Sequence, residues 1–144
     1  MPHRAIKTII RNRSILTSPS KATVSEAARL MKRNKVGAVM VVEHGRLVGI
    51  FTERDAVFRV LAEGQDPQTT HIGDVMTTHP QSITPDKPLG HALLMMHENG
   101  YRHVPVVDNG RPIGMVSARD ALGPELQQFQ SELERREHIL EILA

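Results

Sequence analysis

The chain has 144 residues, enough for one compact domain or two small ones in close contact, and the 40% that are hydrophobic allow a real core. Its 18 Lys and Arg against 16 Asp and Glu leave a net charge of +2, too small an excess to demand a nucleic acid partner. With no cysteine, disulfides, thiolate catalysis and cysteine-bound zinc are excluded, and no apolar run reaches the length of a transmembrane helix.

The first 25 residues carry Arg4, Lys7, Arg11, Arg13 and Lys21 and no acid. That bias is read as part of a repeat rather than as a targeting segment, and a cytoplasmic protein is expected. Thr23-Val24-Ser25-Glu26 is a capping box that opens a helix. Val24, Ala27, Ala28 and Met31 follow at i, i+3, i+4 and i+7, which predicts its buried stripe. Strands are predicted over 38–42 and 46–51, on either side of the hairpin signal Glu43-His44-Gly45. The second strand runs into Gly49-Ile50-Phe51-Thr52-Glu53-Arg54-Asp55. There Thr52 is a favoured N-cap, Asp55 stands three residues later, and a helix is predicted over 53–62. Residues 63–70 form a polar linker with Gly64 and Pro67.

From there the chain repeats itself at an offset of 65 residues. His71 to Met76 starts the second copy as residues 6–11 start the first, and a short strand is expected over 78–84, the counterpart of 13–19. Leu89, Ala92, Leu93 and Met96 reproduce the helical stripe. Strands over 103–107 and 111–116 enclose Asp108-Asn109-Gly110. Gly114-Met115-Val116-Ser117-Ala118-Arg119-Asp120 reproduces the strand-to-helix segment, and its helix is expected to be cut short at Gly123-Pro124. Residues 125–144 have no copy. Leu126, Phe129, Leu133 and Leu140 lie near heptad spacing, Ile139, Ile142 and Leu143 widen the stripe, and Arg136 interrupts it. Such a helix must pack on its own module or on a partner. The expected division is a first repeat over 1–65, a second over 66–123 and a C-terminal amphipathic helix over 124–144.

Together these pieces resemble a tandem CBS-domain protein, a domain named after cystathionine β-synthase. The resemblance rests on Arg102-His103-Val104-Pro105-Val106-Val107-Asp108, on Gly110-Arg111, on both Gly-x-x-[Thr/Ser]-x-Arg-Asp segments and on Asp74-Val75-Met76-Thr77. It covers about residues 5–123. It implies an α/β (α+β) fold with a β-α-β-β-α unit per repeat, two units packed about a pseudo-twofold axis, and two clefts. It also implies adenosine ligands, namely AMP, ADP or ATP and in some members NAD or S-adenosylmethionine, and a disc-shaped homodimer.

The residue types suit such a ligand. Thr52 and Ser117 offer hydroxyl donors at helix starts, and Arg54 and Arg119 offer charge-assisted bonds to phosphate. Asp55 and Asp120, acceptors only when ionised, can each take both ribose hydroxyls. The backbone of Val36, Gly37 and Ala38, or of Tyr101, Arg102 and His103, could read the adenine edge, with Ile50 and Met115 flanking the ring. The same segments are also an ordinary capping device, and both roles stay open. Arg102 and His103 stand where the first repeat has Gly37 and Ala38, so unequal clefts are expected.

His91, His97 and His103 are spaced i, i+6 and i+12, with no carboxylate where a helical metal motif would place one, so no metal is assigned. Met31, Met95 and Met96 are read as core or dimer packing. No Gly-x-Ser-x-Gly elbow or phosphate loop is present, and no catalytic cofactor or enzyme activity is expected. The reading is a sensor of adenosine nucleotides, a homodimer that acts on an unknown downstream protein without membrane or nucleic acid. The alternative is a ligand-free structural or protein-interaction module.

Overall fold

A computed structural model describes residues 4–143. Residues 1–3 and 144, the extremes of the expected first repeat and tail, lie outside the described residues. The elements in order are α1 (Ile6–Ile10), β1 (Thr17–Ser18), α2 (Val24–Asn34), β2 (Ala38–Glu43), β3 (Arg46–Thr52), α3 (Glu53–Asp55), α4 (Ile72–Val75), β4 (Thr77–Thr78), α5 (Leu89–Asn99), β5 (His103–Asp108), β6 (Arg111–Ser117) and α6 (Leu122–Leu143). A π-wound turn, Ala56–Leu61, continues α3, and a 3-10 turn, Ala118–Ala121, precedes α6.

The duplication is visible in the hydrogen-bond register. Ala38 pairs with Thr52 at one end of the first hairpin and Glu43 with Arg46 at the other. His103 pairs with Ser117 and Asp108 with Arg111 in the second. Both hairpins shift register at the same place, between Val41 and Val42 and between Val106 and Val107. Both turns put two residues at positive φ, His44 and Gly45 in one and Asn109 and Gly110 in the other. That is the two-residue turn whose twist matches antiparallel strands. Each of the four strands runs one residue beyond the span read from sequence.

The sheets are completed unequally. One has four strands in the order β1-β2-β3-β4, with β1 parallel to β2; the other has only β5 and β6. The short strand expected over 78–84 is therefore displaced. Thr77–Thr78 joins β3 of the first sheet, and the second keeps a lone parallel bridge from Ile83 to Val106. Pro105 lies on that edge, where it has no N–H to give and its carbonyl accepts from Ile83 N at 3.0 Å.

Each sheet carries its own apolar core, and the short helices are exchanged between them. Ile6 and Ile10 of α1 pack with Ile83, Leu89, Ala92, Met96, Val104, Val106 and Val116 of the second repeat. Ile72 and Val75 of α4 pack with Val24, Ala27, Met31, Val39, Val41 and Phe51 of the first. Backbone bonds fix both crossings: Ile6 N donates to Lys87 O at 3.0 Å, and Ile72 N to Ala22 O at 2.8 Å. Glycines leave room for them. A Cβ on Gly114 would lie 3.0 Å from Ile10 Cβ, and one on Gly49 would lie 2.3 Å from Met76 Sδ. So residues 6–11 begin the first repeat in sequence but complete the second core in space.

Three further expectations are corrected. Ala28 is exposed; the buried stripe of α2 is Val24, Ala27 and Met31. The helix after Thr52 leaves α geometry at Ala56, and Ala62 N reaches back five residues to Val57 O at 2.8 Å. The helix expected to run from Ser117 to Gly123-Pro124 is a 3-10 turn that already ends at Ala121. α6 begins at Leu122 and runs through Pro124, which falls in the first turn, where a missing N–H breaks no helical bond. Among the described residues no helix is long and apolar enough to cross a membrane.

Candidate functional site

The two strand-to-helix segments meet at the junction of the repeats, where β3 and β6 lie against each other. In the first, Thr52 Oγ1 accepts from Asp55 N at 3.1 Å, and Asp55 Oδ2 accepts from Thr52 N at 3.0 Å, a complete capping box. Asp55 is 6% exposed. Its other oxygen, Oδ1, faces Thr77 Oγ1 at 3.4 Å and Arg59 Nε at 3.5 Å. In the second segment Ser117 N donates to Asp120 Oδ2 at 2.8 Å. The remaining capacity of Asp120 goes to Arg13, whose guanidinium is bidentate, with Nη1 3.0 Å from Oδ2 and Nη2 on Oδ1. Arg4 donates to the Asp120 carbonyl.

Electrostatics follow from that pairing. Burial alone would raise the Asp120 carboxyl. Bonds from Arg13 and from the Ser117 N–H, with the charges of Arg13 and Arg4, outweigh burial and hold it below the usual carboxylate range. Arg13 is raised in return, chiefly by its bond to Asp120.

The other candidate residues are placed as follows. Val36 and Gly37 are half-buried at the end of α2, and Ala38 is buried at the start of β2. Glu53 N donates to Gly37 O at 2.9 Å, and Ala118 N to Arg102 O at 3.0 Å, so each helix start is tied to the strand start of its own repeat. A Cβ on Gly37 would lie 2.9 Å from Glu53 Oε1 and 3.4 Å from His103 Cε1, which brings Gly37, Glu53 and His103 together across the junction. Arg54 reaches toward Gly100 O at 3.5 Å, beside Tyr101, and stacks 5.4 Å from the Phe58 ring centroid. Tyr101 bonds Gln81 through its hydroxyl. Arg102 and Arg119 are exposed. Ile50 is buried at 5% exposure, whereas Met115, its counterpart, is half-buried, so only Met115 presents apolar surface. Two surface hollows, of about 580 and 410 Å³, lie elsewhere; no candidate residue lines either.

His103 carries a pH dependence. Burial pushes its ring pKa down, Glu53 pulls it up, Arg102 pushes it down and Asp120 pulls it up; burial prevails. The unfolded chain therefore takes up a proton near pH 6.5 that the folded ring resists. Stability from this group is whole above about pH 6.5 and is lost as pH falls below it. Melting temperatures over about pH 5–8 are expected to drop more steeply on the acid side for the wild type than for His103→Gln. Parallel curves would remove His103 as the cause.

The model of the CBS domain family matches the chain twice, over residues 6–62 and 72–123. The chain belongs to the CBS-domain family. CBS domain-containing protein YhcV of Bacillus subtilis (strain 168) is 37% identical over 116 residues, 81% of each chain. The mitochondrial CBS domain-containing protein CBSX3 of Arabidopsis thaliana is 35% identical over 118 residues; the match covers 78% of this chain and 57% of that protein, so the present chain spans little more than half its length. Among solved structures, a CBS-domain protein from Burkholderia ambifaria MC40-6 superposes with a TM-score of 0.79 at 27% identity, covering 85% of this chain and 94% of that one. A CBS domain protein from Pyrobaculum aerophilum complexed with AMP gives 0.71 at 27% identity, covering 79% and 88%. The CBS domain pair of protein MJ0100, in complex with 5′-methylthioadenosine and S-adenosyl-L-methionine, gives 0.75 at 27%, covering 91% and 99%.

Within this CBS pair, sequence reading missed the partners that the aspartates hold. Thr77 carried a signal, since it closes the Asp-Val-Met-Thr segment. Arg59 carried another, one turn beyond Asp55. Arg13 carried none, because 107 residues separate it from Asp120.

Proposed function

We propose that this CBS pair is a regulatory module that senses an adenosine ligand, AMP, ADP or ATP or a relative such as NAD or S-adenosylmethionine, at the junction of its repeats. The observation that carries the reading is the doubled [Thr/Ser]-x-Arg-Asp turn, brought from both repeats to one junction. The AMP complex of one structural neighbour and the methylthioadenosine and S-adenosylmethionine complex of another support it. Thr52, Arg54, Asp55, Ser117, Arg119 and Asp120 are the proposed contacts to ribose and phosphate. Backbone at Val36 to Ala38 and at Tyr101 to His103 would read the base, with Met115 against the ring. The module uses no catalytic cofactor and performs no reaction; the binding event is its output. It works as a cytoplasmic homodimer, with the division at residues 65 and 123 as its sequence plan, and passes its state to a downstream protein by favouring one of two conformations.

A second reading has its own observation. Both aspartates are already committed, Asp55 to Thr52, Thr77 and Arg59, and Asp120 to Ser117 and Arg13. A module whose junction is closed by its own side chains would be structural.

Thermal-shift titration with AMP, ATP, NAD and S-adenosylmethionine separates the two. Ligand at 100 times its dissociation constant stabilises by about 2.7 kcal/mol. No shift with any of them at millimolar concentration would leave the structural reading. If a shift is seen, Arg54→Ala with Arg119→Ala is expected to weaken ATP and AMP and flatten their salt dependence, with free adenosine much less affected. Equal losses for adenosine and ATP would assign the arginines to folding, Arg54 through its Phe58 stack.

A further inference from the structure

α6 leaves the module with its apolar side uncovered. Leu126, Phe129, Leu133, Leu140 and Leu143 are all 43% exposed or more, and among the described residues neither apolar core includes one of this helix. Taken with Leu122 and Arg136, these positions recur at alternating steps of four and three from 122 to 143. That is the a/d seam of a coiled coil, with Leu126, Leu133 and Leu140 at a and Leu122, Phe129, Arg136 and Leu143 at d. Ile139 and Ile142, 52% and 68% exposed, widen it only at the C-terminal end; from Leu122 to Leu133 it is narrower than the stripe a helix needs to lie on a globular core. The helix runs over 22 residues, and the seam from Leu126 to Leu143 is about 25 Å long.

We infer that this seam is covered by α6 of a second copy of the chain, running antiparallel. Charge decides both the occupant and the direction. In a parallel pair each layer is filled by the same residue twice, so Arg136 would face Arg136 across the seam. The flanking g and e positions, Glu132 and Glu137, would then pair with like charge on both sides. In an antiparallel pair an a residue faces a d residue. The register that stacks Leu126 on Leu143 and Phe129 on Leu140 puts Arg136 on Leu133 of the other helix, its guanidinium beside Glu132 of that helix. Symmetry makes the contact twice. The one polar break in the seam thus finds an acid on an identical partner, a self-complementary surface of the kind a twofold interface requires. This register leaves out only Leu122, at the root of the helix beside the module. It gives the homodimer of the proposed function its surface and does not depend on ligand.

Light scattering on the full chain at tens of micromolar is expected to give a dimer. Phe129→Glu with Leu133→Glu is expected to give a monomer with an unchanged melting curve for the module, because both positions are exposed. A wild-type dimer that survives this double change would place the interface elsewhere and overturn the seam while sparing the homodimer. A monomeric wild type would overturn both and leave the seam to a different helix. Direction is read by disulfide trapping, since the chain has no cysteine of its own. Mixed Leu126→Cys and Leu143→Cys proteins are expected to cross-link to each other, and neither to itself; self-linking of each alone would establish the parallel pair. Arg136→Glu is expected to weaken the dimer at least tenfold, and adding Glu132→Arg to restore it. Failure of that rescue would remove the charge argument.

Discussion

Ile6→Ala should lower the stability of the chain by about 2–5 kcal/mol, the usual cost of emptying a fully buried isoleucine site. Ile6 has no exposed surface. The site cannot collapse easily, because the backbone is pinned at the start of α1, by Ile6 N to Lys87 O, by Lys7 N to Pro85 O at 3.1 Å and by Leu89 N, which donates to Arg4 O at 2.8 Å. The informative part is where the loss appears. Ile6 packs with Leu89, Ala92, Met96, Val104 and Val116, so amide exchange should rise first in α5, β5 and β6, not in β2 and β3, which follow it closely in sequence. Ile72→Ala should do the reverse, loosening the first core around Phe51 and Val39. Chemical denaturation gives the size of the effect, and hydrogen exchange gives its place. Loss confined to the sequence-adjacent repeat in both variants would contradict the exchange of α1 and α4.

Asp120→Asn is expected to cost about 1.5–3 kcal/mol of affinity for an adenosine nucleotide, or roughly 10- to 150-fold, if this carboxylate holds the ribose. Asn keeps the size but offers one acceptor oxygen in place of two and adds an amide donor where another donor must come. If Asp120 serves only the helix start and the Arg13 pair, affinity holds and stability falls by on the order of 1 kcal/mol. The larger loss is expected at Asp120 rather than Asp55, since Asp55 is sealed by Thr52, Thr77 and Arg59. Arg13 adds a control. Ribose must displace its guanidinium, so Arg13→Ala should raise affinity for uncharged adenosine. The pair also sets an acid limit. Because the Asp120 pKa is lowered on folding, its stabilisation is complete above the unfolded value near 4 and is lost as pH falls through the lower folded one. Calorimetry on the three variants, with melting curves beside it, decides between the two roles. Unchanged binding with lowered melting temperatures would return both aspartates to capping.

What the sequence disclosed was local or periodic. The α2 and α5 stripes, both hairpin turns and the Thr52 capping box are set by neighbours within a few residues, and all were readable. Ala28 misled because its position lies at the edge of the stripe, where its counterpart Leu93 is only half-buried, whereas Ala27 and Ala92 at the centre are buried. Gly123-Pro124 misled because proline breaks a helix interior, and only the true start at Leu122 shows that it lies in the first turn. Four- and five-residue helices such as α1 and α4 bury two apolar side chains each and carry no sign of which core they will join. The candidate site was half legible. Its chemistry-bearing types were named, yet the groups that hold the aspartates arrive from elsewhere in the chain, Arg13 across 107 residues and Thr77 across 22. Of the methionines read as core or dimer packing, Met31 and Met96 are spent inside the cores, beside Val24 and Leu89. The large exposed apolar residues lie instead at Ile15, on the π turn, at Leu94 and along α6.

The seat of α1 also sets a timetable. Ile10 lies against Gly114, about a hundred residues downstream; at ribosomal speeds of about 5–20 residues per second that strand follows on the order of 5–20 s later. α1, made before all six strands, is thus housed only when the last of them is complete. α4 has no such wait, for β2 and β3 are already synthesised when Ile72 leaves the ribosome. Until β6 is complete the nascent chain carries Ile6 and Ile10 uncovered, a window in which a chaperone or a neighbouring nascent chain can reach them, and it closes only with the last strand.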